Sequence, residues 1–275
     1  MVAKGFAPAK VNLTLHITGQ RQDGFHLLDS LVAFADVGDV VDFRAASELS
    51  LTVSGPQAAG VPADNGNLVL RAARLMGIRG GRFGLEKALP AAAGIGGGSS
   101  DAAATLRLLS QSTDRPIPTE TIALGADVPV CVEARATRMS GIGEMLNAVP
   151  ALPPMPAVLV NPGVRISTPD VFRALTRREN SPMPDRVPVF AKARECALWL
   201  SRQRNDLEPA AVAIAPVIST VLEVLQAQPG NLLARMSGSG ATCFALFEDD
   251  CAARAAASAL QSAMPRWWVR ACRLS

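Results

Sequence analysis

The chain opens on an alternation: across residues 6–18, Val11, Leu13, Leu15 and Ile17 share one face, the period of a half-buried strand. Asp23-Gly24 is a turn signal, and a second apolar run follows over 27–34. Further strands are predicted over 40–44 and 49–53. Helical spacing takes over at 67–76 and stops at Gly77. Residues 82–87 read as a strand, 102–109 as a helix, and 128–133 with 136–139 as a hairpin. The second half predicts a strand over 157–161, a helix from about 169, a helix over 187–203 and helical segments from 209 to 227. Strands over 232–236 and 243–247, a helix over 250–263 and a strand over 267–273 complete it. Strands cluster early and do not alternate regularly with helices, so the predicted class is α+β. Four prolines fall within 146–156, which places a domain boundary there and divides the chain into 1–152 and 153–275.

Composition narrows the partners. A chain of 275 residues can build two modest domains, each with its own core. The net charge is +3 and the longest basic run is Arg177-Arg178, which argues against a dedicated nucleic-acid surface. The most apolar stretch, 210–225, is interrupted by Pro216 and Glu223 and reads as a buried helix, not a membrane span. Residues 1–10 show no signal-peptide pattern. Five cysteines without a CxxC pair suggest neither a disulfide framework nor a zinc site. Idle thiols in a reducing cytosol are the expectation, and with it a cytoplasmic location.

The least ordinary segment is Pro90-Ala91-Ala92-Ala93-Gly94-Ile95-Gly96-Gly97-Gly98-Ser99-Ser100-Asp101, running into the predicted helix. Glycine lets the backbone approach a ligand and adopt positive φ. A helix N-terminus adds unpaired N–H groups and partial positive charge, and the two together make an anion cradle. Ser99, Ser100 and Asp101 suit the cap of that helix. The competing reading is a tight turn with a good cap. Neither GxxxxGK[ST] nor GxGxxG is present: counted from Gly94 or Gly96, the sixth position is Ser99 or Asp101.

This segment resembles the second signature of the galactokinase–homoserine kinase–mevalonate kinase–phosphomevalonate kinase (GHMP) superfamily. Ala7-Pro-Ala-Lys-Val-Asn-Leu13 resembles its N-terminal signature and Met236-Ser-Gly-Ser-Gly-Ala-Thr242 its C-terminal one. The segments 17–26, 67–73, 124–130, 141–144 and 205–208 resemble one branch, the 4-diphosphocytidyl-2-C-methyl-D-erythritol kinases. That likeness is good over 7–172, fair over 205–247, and weak over 174–204 and after 248. It implies a two-domain GHMP kinase fold, with an N-terminal ATP-binding domain and a C-terminal α+β domain. It also implies transfer of phosphate from ATP to the 2-hydroxyl of a cytidine-diphosphate substrate in the non-mevalonate isoprenoid pathway. Two departures stand out: Phe25 replaces the usual tyrosine, and Ala91-Ala92-Ala93 replaces a run usually richer in glycine.

The resemblance assigns roles. Asp127 is the base and Lys10 the cation beside it, holding the carboxylate ionised and stabilising an alkoxide. Residues 90–100, from Pro90 to Ser100, cradle the phosphates, with Asn67 and Lys87 near the adenine. His26 hydrogen-bonds the cytosine, Phe25 and Phe172 stack on it, and Asn12 and Thr168 contact the substrate. His16 has no motif support and is read as structural. Mg²⁺ is expected with ATP, although no acidic cluster marks a dedicated metal site. The alternatives are a homoserine- or mevalonate-type kinase, which has no need of a Phe25-His26 pair, or a non-catalytic sensor on the same fold, which has no need of Lys10 and Asp127.

Overall fold

The computed structural model describes residues 3–275. In chain order the elements are β1 (Ala3–Asn12), β2 (His16–Gln20), β3 (His26–Arg44), β4 (Leu49–Ser54), α1 (Leu68–Leu75), β5 (Gly81–Glu86), α2 (Gly97–Thr113), a 3-10 turn (Thr119–Leu124) and α3 (Val128–Glu133). They continue with β6 (Thr137–Gly141), β7 (Met145–Ala148), β8 (Met155–Asn161), α4 (Thr168–Arg173), α5 (Ala193–Leu200), α6 (Glu208–Ile214), α7 (Val217–Gln226), β9 (Asn231–Met236), β10 (Cys243–Phe247), α8 (Asp250–Ala263) and β11 (Trp268–Leu274). Mixed helices and strands without regular alternation make this an α+β protein.

Two compact units are formed. The first holds Met1–Lys10, Val37–Ala91 and Gly96–Ala134. In it β5 pairs antiparallel with the last part of β3 and parallel with β4. Its core joins Val41, Phe83 and Leu85 from the strands to Val69, Leu70 and Ala73 of α1 and Leu106 and Leu109 of α2. Asn67 begins α1 by accepting the Val69 N–H at 2.9 Å, a cap worth about 1 kcal/mol.

The second unit holds Val11–Asp36, Ala92–Ile95 and Arg135–Ser275. There β8 lies between β11 and β10, and β10 pairs with β9, all antiparallel. The early part of β3 pairs with β2 and β6. Seven consecutive buried residues make β8 the centre of this sheet, and α6, α7 and α8 cover it through Ala211, Val221, Leu225 and Leu260.

Several expectations are corrected. The run 6–18 is two strands, because the chain turns aside at 13–15: Leu13 and Thr14 both donate to Leu31 O, and Leu15 donates to Arg204 O. Conversely, 27–34 and 40–44 belong to one 19-residue strand, whose polar Asp39 is fully buried and partnered. Residues 128–133 are helix, not one arm of a hairpin; Pro129 in the first turn suits a helix start, and a six-residue apolar run has no decisive period. The hairpin is instead β6–β7. The helix predicted over 187–203 shortens to Ala193–Leu200, beyond Pro188. Ser99, Ser100 and Asp101 do not cap α2: its N-cap is Gly96, at φ 64°, and the three residues lie inside the helix.

Candidate active site

The first unit contains a lysine–aspartate pair. Lys10, near the end of β1, places its Nζ 2.9 Å from Asp127 Oδ2. Asp127 sits at the N-cap of α3, where helix polarity also favours negative charge. The partners differ in exposure: Lys10 is 4% exposed and Asp127 35%. A sheltered ammonium thus faces a carboxylate that solvent, or a ligand, can reach.

The same unit carries the 17-residue helix α2, whose N-cap is Gly96, a residue without a side chain to cap it. Its first N–H groups lie at the positive end of the helix. The glycines before and within its first turn serve different needs. At Gly94, within the second unit, φ is +74° and an added Cβ would lie 2.5 Å from Ser237 O, so the fold itself requires glycine. Gly97 and Gly98 are helical, and an added Cβ would meet nothing nearer than 3.5 Å. Nothing in the surrounding protein demands glycine there: a Cβ would be directed toward Lys87 and Asp39 at 97 and toward Leu68 at 98.

Other predicted residues are already committed. Asn67 caps α1 and also donates to Pro62 O at 2.7 Å. Lys87 is buried, with its ammonium on Asp39 and, at 2.8 Å, on Asp101. Ser100 Oγ donates to Pro8 O at 2.7 Å. Ala92 adopts φ 52°, a left-handed conformation that glycine takes more easily, at one of the positions where the loop departs from the family pattern.

In the second unit, His26 stacks on Phe172 with ring centroids 4.9 Å apart. Its Nε2 is shielded from solvent and has no hydrogen-bond partner among the described residues. Burial, and secondarily Arg178, lowers its pKa, favouring neutral imidazole. A neutral ring with an unsatisfied nitrogen beside an aromatic face can receive a planar heterocycle. Phe25 is 58% exposed, so its ring is free to meet a ligand. Asn12 donates from its backbone to Ser237 Oγ at 3.0 Å and from its side chain to Ser30 Oγ at 2.8 Å. Thr168 Oγ1 lies 2.8 Å from Ser239 Oγ.

Some contributors escaped the sequence reading. Ser237 joins Asn12 to Gly94 O, and Asn205 donates to Met236 O and Gly238 O at 2.9 Å each, bracing the third glycine segment. Asn205 lies in a quoted motif, which was the available signal. Asp39 carried none.

Comparison with known proteins decides the family. Residues 67–137 match the GHMP kinases N terminal domain and residues 190–266 the GHMP kinases C terminal model. A 4-diphosphocytidyl-2-C-methyl-D-erythritol kinase of Dinoroseobacter shibae is 62% identical over 265 residues, 96% of this chain and 92% of that protein. The chain belongs to the 4-diphosphocytidyl-2-C-methyl-D-erythritol kinase family of GHMP kinases. The family member of Ruegeria pomeroyi is 52% identical over 98% of both chains. A solved 4-(cytidine 5'-diphospho)-2C-methyl-D-erythritol kinase superposes with TM-score 0.80 at 35% identity, over 99% of both chains. The homoserine kinase of Cytophaga hutchinsonii, at TM-score 0.64 and 18% identity over 99% of this chain and 95% of its own, shares the fold. As a member of this family the chain is an ATP-dependent small-molecule kinase. Among the described residues no helix is long and apolar enough to cross a membrane.

Proposed function

We propose that this kinase phosphorylates the 2-hydroxyl of 4-diphosphocytidyl-2-C-methyl-D-erythritol, with Asp127 as base and Lys10 as the adjoining cation. The observation that carries the chemistry is the sheltered Lys10 ammonium 2.9 Å from the part-exposed Asp127 carboxylate. In this reading Asp127 accepts the hydroxyl proton as the substrate oxygen attacks the γ-phosphorus, and ADP departs with the pair of electrons from the broken P–O bond. Lys10 offsets the negative charge on the attacking oxygen. Phosphoryl transfer depends mainly on positioning and charge neutralisation, which the uncapped α2 N-terminus suits. Residues 90–100 hold the phosphates, chiefly through the N–H groups of Gly97, Gly98 and Ser99, and Asn67 borders the adenine.

The cytidine is received at His26, with Phe172 and Phe25 stacking. Asn12 and Thr168 complete the substrate contacts. Loss of the tyrosine hydroxyl at Phe25 preserves stacking but removes one hydrogen bond. Mg²⁺ takes hard oxygen donors and commonly enters with phosphates and water; the Ser99 hydroxyl in the first turn of α2 has the right chemistry to join them. When bound, the ion would neutralise phosphate charge. We place the protein in the cytoplasm, in keeping with its free cysteines. We divide its family domains near residue 152, between the two matched segments.

The test is kcat/KM for the cytidine-diphosphate substrate, mevalonate and homoserine under one ADP-release assay. The cytidine substrate should lead. Preference for either of the others would overturn the substrate assignment and leave the kinase chemistry standing.

A further inference from the structure

We propose that Asp39, Lys87 and Asp101 form a buried latch that fixes the backbone around the phosphate loop and thereby sets nucleotide affinity, with Asp39 and Asp101 as positioning residues. This rests on the reading of the loop as the nucleotide site.

The latch lies wholly within the first unit. Asp39, on β3, accepts the N–H groups of Ala88 and Leu89 with Oδ1, at 2.6 and 2.8 Å. Its Oδ2 accepts the Lys87 ammonium. Lys87 in turn donates to Asp101 Oδ2 at 2.8 Å. Residues 87–89 enter the glycine-rich segment, and Asp101 lies on α2 just beyond it. One carboxylate and one ammonium therefore tie both ends of the segment to a strand. All three side chains are almost wholly buried, at 0% for Asp39, 3% for Lys87 and 4% for Asp101.

The position of the cluster is informative. A Cβ added at Gly97 would lie 3.5 Å from Lys87 Nζ and 3.9 Å from Asp39 Oδ2. The charges thus sit directly against the turn whose N–H groups face the phosphates. Enclosing two carboxylates with one ammonium is costly, because burial of charge must be offset by pairing. Asp101 Oδ1 is buried without a hydrogen-bond partner among the described residues. A cluster serving stability alone would be matched or exceeded by apolar packing of the same volume. What a hydrogen-bonded cluster adds is a defined backbone position, and a phosphate cradle needs just that. Asp101 is raised to about 7 by burial, opposed by Lys87 and reinforced by Asp39. A neutral amide at 101 is therefore close to a state the native group already visits.

The experiment measures ADP and CDP affinity by calorimetry on the full chain. Asp39→Asn places an amide where either the two N–H groups or the ammonium loses an acceptor; ADP should bind at least about tenfold more weakly, with CDP within about twofold of native. Asp101→Leu should do the same. Asp101→Asn keeps an oxygen for Lys87 and should restore ADP affinity to within about threefold. Should Asp39→Asn not fold, the Leu–Asn contrast at 101 decides alone. ADP affinity unchanged in Asp101→Leu, or ADP and CDP affinity lost in equal proportion, overturns the latch. Gly98→Val, whose Cβ would meet Leu68 and none of the three latch side chains, separates this from the loop reading. If it abolishes ADP binding while the latch variants bind normally, the latch alone fails; if it binds ADP normally, the loop assignment fails too.

Discussion

Asp127→Asn isolates the base. The substitution keeps the side-chain shape and removes its ability to take a proton. Lys10 Nζ, now 2.9 Å from Oδ2, would face an amide oxygen that still accepts a hydrogen bond, so the sheltered ammonium keeps its partner. Asp127 is 35% exposed, and solvent weakens the ion pair; its loss should cost about 1 kcal/mol of stability or less. The kinetic effect is of another order. Removing a general base lowers turnover by about 10²–10⁴, or roughly 3–5 kcal/mol of barrier. The two quantities are measured separately, by thermal unfolding and by ADP release at saturating concentrations of both substrates. ADP affinity, measured alongside, should stay within about twofold of native. A folded variant with turnover within a few-fold of native would refute the assignment, and Lys10 would then remain as an electrostatic group without a proton acceptor beside it.

Three further outcomes follow from local geometry. Phe172→Ala should weaken CDP binding by about 1–3 kcal/mol, the usual worth of a base–aromatic stack, with ADP binding unchanged by calorimetry; equal loss of both would deny Phe172 a cytidine role. Ala92→Gly relieves a left-handed alanine, worth about 1–2 kcal/mol, against about 0.4–1 kcal/mol of added chain entropy; denaturant unfolding should show a small net gain in stability, and a clear loss would mean the backbone there is not strained. His16 is held neutral, its pKa lowered first by burial and then by Arg204; since only the unfolded chain takes a proton on acidification, its contribution is present above about pH 6.5 and lost as pH falls below that. The unfolding midpoint should fall less steeply across that window in His16→Gln, and an unchanged slope would remove His16 as a cause.

Local signals in the chain foretold those elements whose period was long or whose ends were marked. Strand β10 and helix α8 appear at their predicted limits, and Asn67 starts α1 as its residue type suggests. Where short apolar runs met tertiary context, the period was ambiguous. Val128 to Glu133 contains no turn of polar residues to reveal a helix, and Asp36, Gly38 and Asp39 looked like an interruption within β3. The glycine-rich motif marked the start of α2, but the cap falls on Gly96 and not on the serines that follow it. Lys10 and Asp127, 117 positions apart by subtraction of their numbers, could be joined only by resemblance; no spacing rule reaches that far.

Lys10 and Lys87 show why burial must be read with its partners. Lys10 follows the buried Ala9 within β1 and Lys87 follows Glu86 at the end of β5, yet each is nearly inaccessible and each touches aspartate. The resemblance places Lys10 beside the base and Lys87 near the adenine. The difference lies in the carboxylates. Asp127 keeps about a third of its surface exposed, so a substrate hydroxyl can reach it and the charge of Lys10 can act on a changing partner. Asp39 is wholly enclosed and spends one oxygen on two backbone N–H groups. No reacting atom can approach without breaking those bonds. A carboxylate poised for chemistry must have an open side, whereas one that fixes a loop works best with none. By that criterion the first pair suits the proposed reaction and the second the proposed cradle.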